Sequence, residues 1–206
     1  MRLSLNKKDI INLLSNTGKL SAKEFYKKLD KIIKRNIDHK LFTLTVVDRS
    51  IKYVERVYSN NTKIYPLLGT KPIPKNSWTN KVINNKKYFF GESKNQIKKL
   101  FFDYEKIFSL GCGSIINIPI INDKKILGTL NILHKEKFYT IKSVKMIQPY
   151  AQLLSPYFIL HQLKMKKKKR LTNKQYQKYL IKNVIQLSAY TFLLGIVFVA
   201  IWKEIF

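Results

Sequence analysis

The chain has 206 residues, is 45% hydrophobic, holds one cysteine and carries a formal net charge of +28. That length accommodates one domain with a proper core plus an appendage, and that apolar content excludes a chain that is disordered throughout. A lone cysteine excludes an intramolecular disulfide and a multi-cysteine metal site, and it is compatible with a reducing compartment.

The charge comes from 35 lysines against five arginines. Proteins that read nucleic acid favour arginine, whose flat fork bonds phosphate and guanine in pairs. A lysine excess alongside abundant Asn and Ile points to an AT-rich coding bias and solvated lysine faces ahead of nucleic-acid binding. Nonspecific attraction to anionic surfaces remains a consequence.

The first residues carry no secretory signal, because Ile10–Leu14 is too short and too polar for an h-region. That stretch predicts a short amphipathic helix. Ser21 and Glu24 have capping-box spacing, and Phe25, Leu29, Ile32 and Ile33 follow at a helical period. Leu41–Val47 and Lys52–Tyr58 read as strands joined through Asp48-Arg49-Ser50. In the second of them strict alternation puts Val54, Arg56 and Tyr58 on one face.

Ser59–Ser77 has the Asn, Gly and Pro content of a loop, but Tyr65 and Leu67-Leu68 tie it to the domain. Connections of this length in a compact domain are usually lids or binding loops. Ser77 is placed to cap a short helix through Asn84, bearing Trp78 and Val82. Tyr88-Phe89-Phe90 predicts a short strand. Ile97–Leu110 predicts one amphipathic helix, with Ile97, Leu100, Phe101, Tyr104, Ile107 and Phe108 on a face.

The central stretch is Ser109–His134. Two runs rich in β-branched residues, Ile115–Ile121 and Ile126–Leu133, flank the turn cluster Asn122-Asp123-Lys124-Lys125, which predicts a hairpin. Gly111-Cys112-Gly113 allows a sharp bend before it, and Gly128 allows a close approach within it. So apolar a hairpin requires a sheet around it and helices over at least one face. A further helix is expected from Ile141 to His161, kinked or broken by Pro149 or Pro156.

Composition then changes. Lys164–Lys182 holds nine Lys/Arg and no acid, and Val184–Trp202 has no charged residue across 19 positions. At 1.5 Å per residue that run reaches about 28 Å, close to a bilayer core. The alternative is a buried core helix. Its flanking basic cluster favours a transmembrane helix with residues 1–183 in the cytoplasm. Lys166, Lys167, Lys168, Lys169 and Arg170 would then lie at the membrane surface and attract anionic headgroups.

Ser114, Pro119, Leu127-Gly128, Leu130-Asn131, Leu133 and Tyr139-Thr140 together resemble the GAF domain family over residues 20–162. Arg56–Ser59, Tyr65-Pro66, Gly69, Lys71, Trp78 and Ser109–Gly111 resemble its stand-alone proteobacterial members. The resemblance implies an α+β, GAF/PAS-like fold: a central antiparallel sheet flanked by helices, with the C-terminal transmembrane helix as an addition. Terminal helices would cover one face and the long connection the other. The corresponding organisation is residues 1–20 as an N-terminal helical segment, 21–163 as the GAF-like domain and 164–183 as a basic juxtamembrane linker. Residues 184–202 form the membrane span and 203–206 a tail.

In that family the second face holds small ligands such as cyclic nucleotides, tetrapyrroles or amino-acid-like molecules, and the terminal helices often pair into homodimers. The resemblance therefore implies a ligand site built from Arg56, Tyr58, Tyr65, Trp78, Cys112, Asn117 and Asn131. Each has a plainer alternative. Arg56 could be an exposed strand arginine paired with an acid, and Trp78 and Tyr65 could pin the connection to the core. Asn117 and Asn131 could bond the backbone of the covering loop, and whether they share a face depends on the turn. An odd hairpin loop can set them opposite each other and an even one cannot.

Some relatives reduce free methionine sulfoxide, which needs a nucleophilic and a resolving cysteine, and others attach bilins to a cysteine. Cys112 is alone and is followed by Gly rather than the His of the bilin motifs. His39, His134 and His161 are too dispersed for a metal set, and no P-loop, nucleophile elbow or HExxH occurs. The expectation is a membrane-tethered, non-catalytic small-molecule-binding domain facing the cytoplasm, with no cofactor identified by the sequence. The alternatives are a structural adaptor at the membrane with a closed pocket and a basic nucleic-acid binder.

Overall fold

The computed structural model describes residues 7–16, 18–168 and 181–182. Helix α1 (Lys7–Ser15) lies against helix α2 (Ala22–Asn36). The capping box that opens α2 is formed: the Ser21 hydroxyl accepts from Glu24 N, and the Glu24 carboxylate accepts from Ser21 N at 2.9 Å. Phe25, Leu29, Ile32 and Ile33 are all buried, as their spacing predicts.

Six strands make one antiparallel sheet: β1 (Leu41–Val47), β2 (Tyr53–Ser59), β3 (Thr70–Pro72), β4 (Phe89–Gly91), β5 (Ser114–Asn122) and β6 (Lys125–His134). Their spatial order is β3-β2-β1-β6-β5-β4, so the expected hairpin β5–β6 and strand β1 fill the middle. The edges are three residues long each, which leaves little unpaired backbone to recruit another chain. Strand β3 falls inside the stretch read as loop. It pairs Thr70–Pro72 with the edge of β2, a contact too short to leave a periodic signal.

Two further elements differ from the sequence reading. The helix expected over residues 97–110 is two: α4 (Lys94–Leu100), capped by Ser93, and α5 (Tyr104–Ser109). Phe101 between them is extended, so the apolar stripe is shared by two short helices with a corner. The helix before them, α3 (Ser77–Thr79), is capped by Asn76 rather than Ser77 and runs into a single π-helical turn, Asn80–Asn84. The last helical stretch is also divided, into α6 (Ile141–Gln152) and α7 (Ser155–Lys168). The break falls at Leu153-Leu154, and Pro156 then sits in the first turn of α7, where its missing N–H costs nothing, whereas Pro149 is absorbed inside α6.

Helix α7 carries Lys164–Lys168 past the expected domain boundary at residue 163. Lys169, Arg170 and the expected span 184–202 lie outside the described residues. Among the described residues no helix is long and apolar enough to cross a membrane.

Two bulges decide which side chains face which way. Asp123 and Lys124 both have positive φ, 46° and 56°, and form a two-residue turn that pairs Asn122 with Lys125. That loop is even, yet Asn117 sits directly opposite Asn131. The pairing passes from Ile121↔Ile126 to Ile120↔Gly128, so Leu127 is an extra residue that shifts the register by one. In β2 the pairing passes from Thr45↔Arg56 to Leu44↔Tyr58, and Val57 is the extra residue. Tyr58 is therefore turned away from Arg56, and the expected common face of Val54, Arg56 and Tyr58 ends at Arg56.

One face of the sheet is roofed by α2, α6 and α7, around Phe42, Leu44, Ile116, Leu130 and Ile132. The other is covered by the 59–111 connection, around Leu41, Ile115 and Leu133. Gly128 is where α7 presses closest to the sheet. A Cβ there would stand 2.1 Å from the Thr45 carbonyl oxygen and 2.6 Å from the Phe158 ring. Gly128→Ala should destabilise the domain by about 1–3 kcal/mol, the usual range for overpacking. A lowered urea midpoint with an unchanged denaturant slope would show it; an unaltered midpoint would mean that α7 does not seat on β6 as described.

Candidate functional site

On the connection-covered face, polar residues interrupt the apolar strands in two rows. Thr43, Asn131 and Asn117 are register partners across β1, β6 and β5, and Thr45 and Thr129 pair in the next row. They form a directed chain. The Trp78 indole donates to Asn117 Oδ1 at 2.9 Å, Asn117 Nδ2 donates to Asn131 Oδ1 at 2.7 Å, and Asn131 Nδ2 donates to Thr43 Oγ1 at 3.3 Å. The Thr45 and Thr129 hydroxyls bond each other at 2.7 Å. Both asparagines are buried, and each bond spares an amide group a desolvation cost of about 1–3 kcal/mol. The partners are a side chain of the cover and each other, not the cover's backbone.

Above this floor lies a cavity of about 140 Å3. Its sides are apolar, from Leu41, Val54, Ile73, Ile107, Ile115 and Leu133. Trp78 and Phe101 meet edge to face at 6.0 Å along its wall. At its polar end stand Arg56, Tyr65, Lys71 and Asp103. Phe102 lines the mouth but is 75% exposed, so it does not plug the space. A cavity of about 150 Å3 takes benzene, whereas drug-sized ligands occupy about 300 Å3 or more. As it stands, the space suits a small molecule and is too small for a tetrapyrrole or a cyclic nucleotide.

Arg56 is half-buried. Its Nη1 donates to the Pro66 carbonyl at 3.2 Å, and its guanidinium lies 4.9 Å over the Tyr65 ring. No carboxylate stands within ion-pair distance of it among the described residues, so it is not the acid-paired strand arginine. Burial lowers its pKa, while Tyr65 and Asp103 act in the opposite sense. Arg56 Nε and the Tyr65 hydroxyl are buried without a hydrogen-bond partner. Asp103 draws on that hydroxyl both electrostatically and as a hydrogen-bond acceptor at longer reach, and is itself ion-paired with Lys71 at 3.5 Å.

Of the seven expected residues, five line this cavity: Arg56, Tyr65, Trp78, Asn117 and Asn131. Tyr58 does not, because the Val57 bulge sends it to the helix-covered face. There its hydroxyl donates to Asp30 Oδ2 at 2.8 Å, and the other oxygen of Asp30 holds the buried His39 at 2.9 Å. Cys112 does not either; it is packed in the core between α5 and β5. Lys71 and Asp103 were missed by the sequence reading. Lys71 sits in the undetected strand β3 and Asp103 in the undetected corner between α4 and α5.

A larger hollow of about 750 Å3 lies between the β1–β2 and β5–β6 turns, lined by Arg49, Lys86, Lys124 and Asp48 among others. The Asp48 carboxylate is already engaged by Ser50, by Lys52 N and by Tyr53 N. No buried unpartnered polar atom belongs to a residue of that hollow, whereas two belong to the smaller cavity.

Burial raises the Cys112 thiol from 9.0 to about 11, with Lys40 acting against the rise. The thiol is fully buried, so the thiolate that chemistry requires is absent near neutrality. Because the folded value lies above the unfolded one, stability gained from the neutral thiol is complete below about pH 9 and falls as pH climbs toward 11. Alkylation at pH 8 should be blocked in native protein and prompt in urea. Prompt labelling of the native chain would refute the buried placement.

No protein-family model matches the chain, and no curated protein does. Solved structures do. The GAF domain of a two-component sensor histidine kinase from Bacillus halodurans superposes with a TM-score of 0.54 at 16% identity, over 78% of this chain and 98% of that one. The GAF domain of a phosphoenolpyruvate-protein phosphotransferase from Coxiella burnetii gives 0.57 at 14% identity, over 80% and 96%. A type II free methionine-R-sulfoxide reductase from Thermoplasma acidophilum gives 0.54 at 10% identity, over 68% and 94%. The fold is that of GAF domains.

Proposed function

We propose that this chain is a membrane-tethered, non-catalytic sensory domain that holds a small molecule between its sheet and the 59–111 connection. The observation that carries the reading is a cavity whose floor is polar and fully bonded and whose end bears two buried donors without partners. A surface that only seals a core has no use for such donors, since each one left unpaired costs stability. Although one protein of similar fold is a reductase, the only cysteine here is outside the cavity and protonated at neutral pH, which supports binding without chemistry.

The tether reading rests on the uncharged run 184–202 and on the lysine cluster before it, whose positive charge favours the cytoplasmic side for residues 1–183. Signal would pass through one layer of sheet. Thr129 belongs to the cavity floor, and its neighbour Gly128 bears against Phe158 of α7 on the other face. Helix α7 leads into the basic cluster, so ordering at the floor would bias the helix nearest the bilayer. A second reading, a docking adaptor with no ligand, is favoured by the small cavity and by Leu68 and Phe102, which are 72% and 75% exposed.

Binding is tested on the full chain in detergent carrying Trp202→Phe, so that emission reports Trp78. A ligand in the cavity should shift that emission and raise the melting temperature together. If a broad metabolite set moves neither, the adaptor reading replaces the sensor. Separately, the chain should stay with membranes after an alkaline wash, and truncation at residue 183 should release it. Release of the intact chain by that wash would remove the tether from the proposal.

A further inference from the structure

The polar end of the cavity has a specific chemistry. Arg56 Nε and the Tyr65 hydroxyl are both buried donors without a well-formed hydrogen bond, and only Asp103, at longer reach, draws on the hydroxyl. Tyr65 is only 5% exposed. Two donors at one end of an apolar space call for an acceptor with two oxygens. The charges at that end are Arg56 and Lys71 against Asp103, two cations and one carboxylate, which leaves one positive charge. Lys71 and Asp103 pair at 3.5 Å and Asp103 acts on Arg56 only from beyond ion-pair distance, so Arg56 is the cation with no carboxylate of its own. A neutral ligand would leave that guanidinium desolvated and unpaired. A dianion would bury a second negative charge with nothing to meet it.

From these groups we infer that the ligand is a small monocarboxylate with a compact hydrocarbon body. Its carboxylate bonds Arg56 and Tyr65, and its body lies among Leu41, Ile115 and Leu133 over the asparagine floor. Guanidinium and carboxylate match as planar partners, and a bond to a charged group is the stronger kind. The lowered pKa of Arg56, caused first by burial, is consistent with a cation that lacks its counter-ion. The size of the space limits the body to about that of a benzene ring. This rests on the reading of the cavity as a binding site and adds the class of molecule that enters it.

The test sets acids against their neutral isosteres on the full chain: isovalerate against isovaleramide, and benzoate against benzamide, at millimolar concentration and neutral pH. At least one acid should raise the melting temperature and shift Trp78 emission in the Trp202→Phe background, with its amide doing neither. Tyr65→Phe keeps the ring under Arg56 and should weaken that acid by about tenfold or more, as should Arg56→Gln. Amides that bind as well as acids, or an acid indifferent to Tyr65→Phe, would overturn the carboxylate assignment and leave the cavity a binding site. No response to either class, when some other small molecule shifts Trp78, would overturn the assignment alone. No response to any compound overturns the binding site with it.

Discussion

The bond between Asn117 and Asn131 is the constraint on which this sheet depends. Both are polar residues in long, almost wholly buried strands, and both are themselves buried. Their amides are satisfied only when the strands pair with those two positions opposite each other, on the face where Trp78 and Thr43 stand. A slip of one residue would drive one strand's amide into the helix-covered core among Leu44, Ile116 and Ile132. Each stranded amide would cost about 1–3 kcal/mol. Against a domain stability of about 5–15 kcal/mol, that is enough to select one register. The apolar residues around them fit either register almost equally well, so the polar pair supplies the discrimination.

The register requires an irregularity. A two-residue turn on its own would pair Asn117 with Leu130, and the extra residue Leu127 corrects this. The extra residue also gives Gly128 its position, since it sets Gly128 under the Phe158 ring and against β1. In β2 the bulge at Val57 does similar sorting. It leaves Arg56 on the cavity face and sends Tyr58 to bond Asp30, which anchors the His39 side of α2. Two single-residue insertions thus divide neighbouring residues between the cavity face and the helix-covered face.

Legibility follows from these same features. The hairpin, strand β1 and the capped helix α2 were readable because each repeats a pattern over many residues, whereas the covering of both faces came from the family resemblance. Ser21 and Glu24 announce their helix by chemistry alone. Bulges leave no such trace: Val57 and Leu127 are ordinary strand residues, and only the partner strand shows that they are extra. That is why Tyr58 was read onto the wrong face, and why parity alone was a poor guide to the asparagines. Strand β3 and the corner at Phe101 are set by tertiary contact with β2 and with the sheet, and so neither Lys71 nor Asp103 was placed at the cavity. Cys112 enters the expected site through the family resemblance, and a resemblance says nothing about the direction of a side chain.

The placement of the charges completes the physical picture. Lysine is abundant in this chain, and among the described residues nearly all of it is exposed, where each residue costs little and specifies little. Arginine is scarce, and Arg56 is the one held at the cavity by an aromatic ring and a carbonyl, with its Nε turned to a buried space. A half-buried cation with no carboxylate within ion-pair distance is a standing cost to the fold, which Tyr65, Pro66 and the more distant Asp103 reduce and do not remove. Such a cost is stable through folding because the sheet beneath it is over-determined by the asparagine register and the α7 contact. The same rigidity means that an anion arriving at Arg56 meets a floor that cannot rearrange freely. Relief of the charge must then appear in the cover, in the segment that Trp78 fastens to Asn117, and in the helix lying on the far side of Gly128.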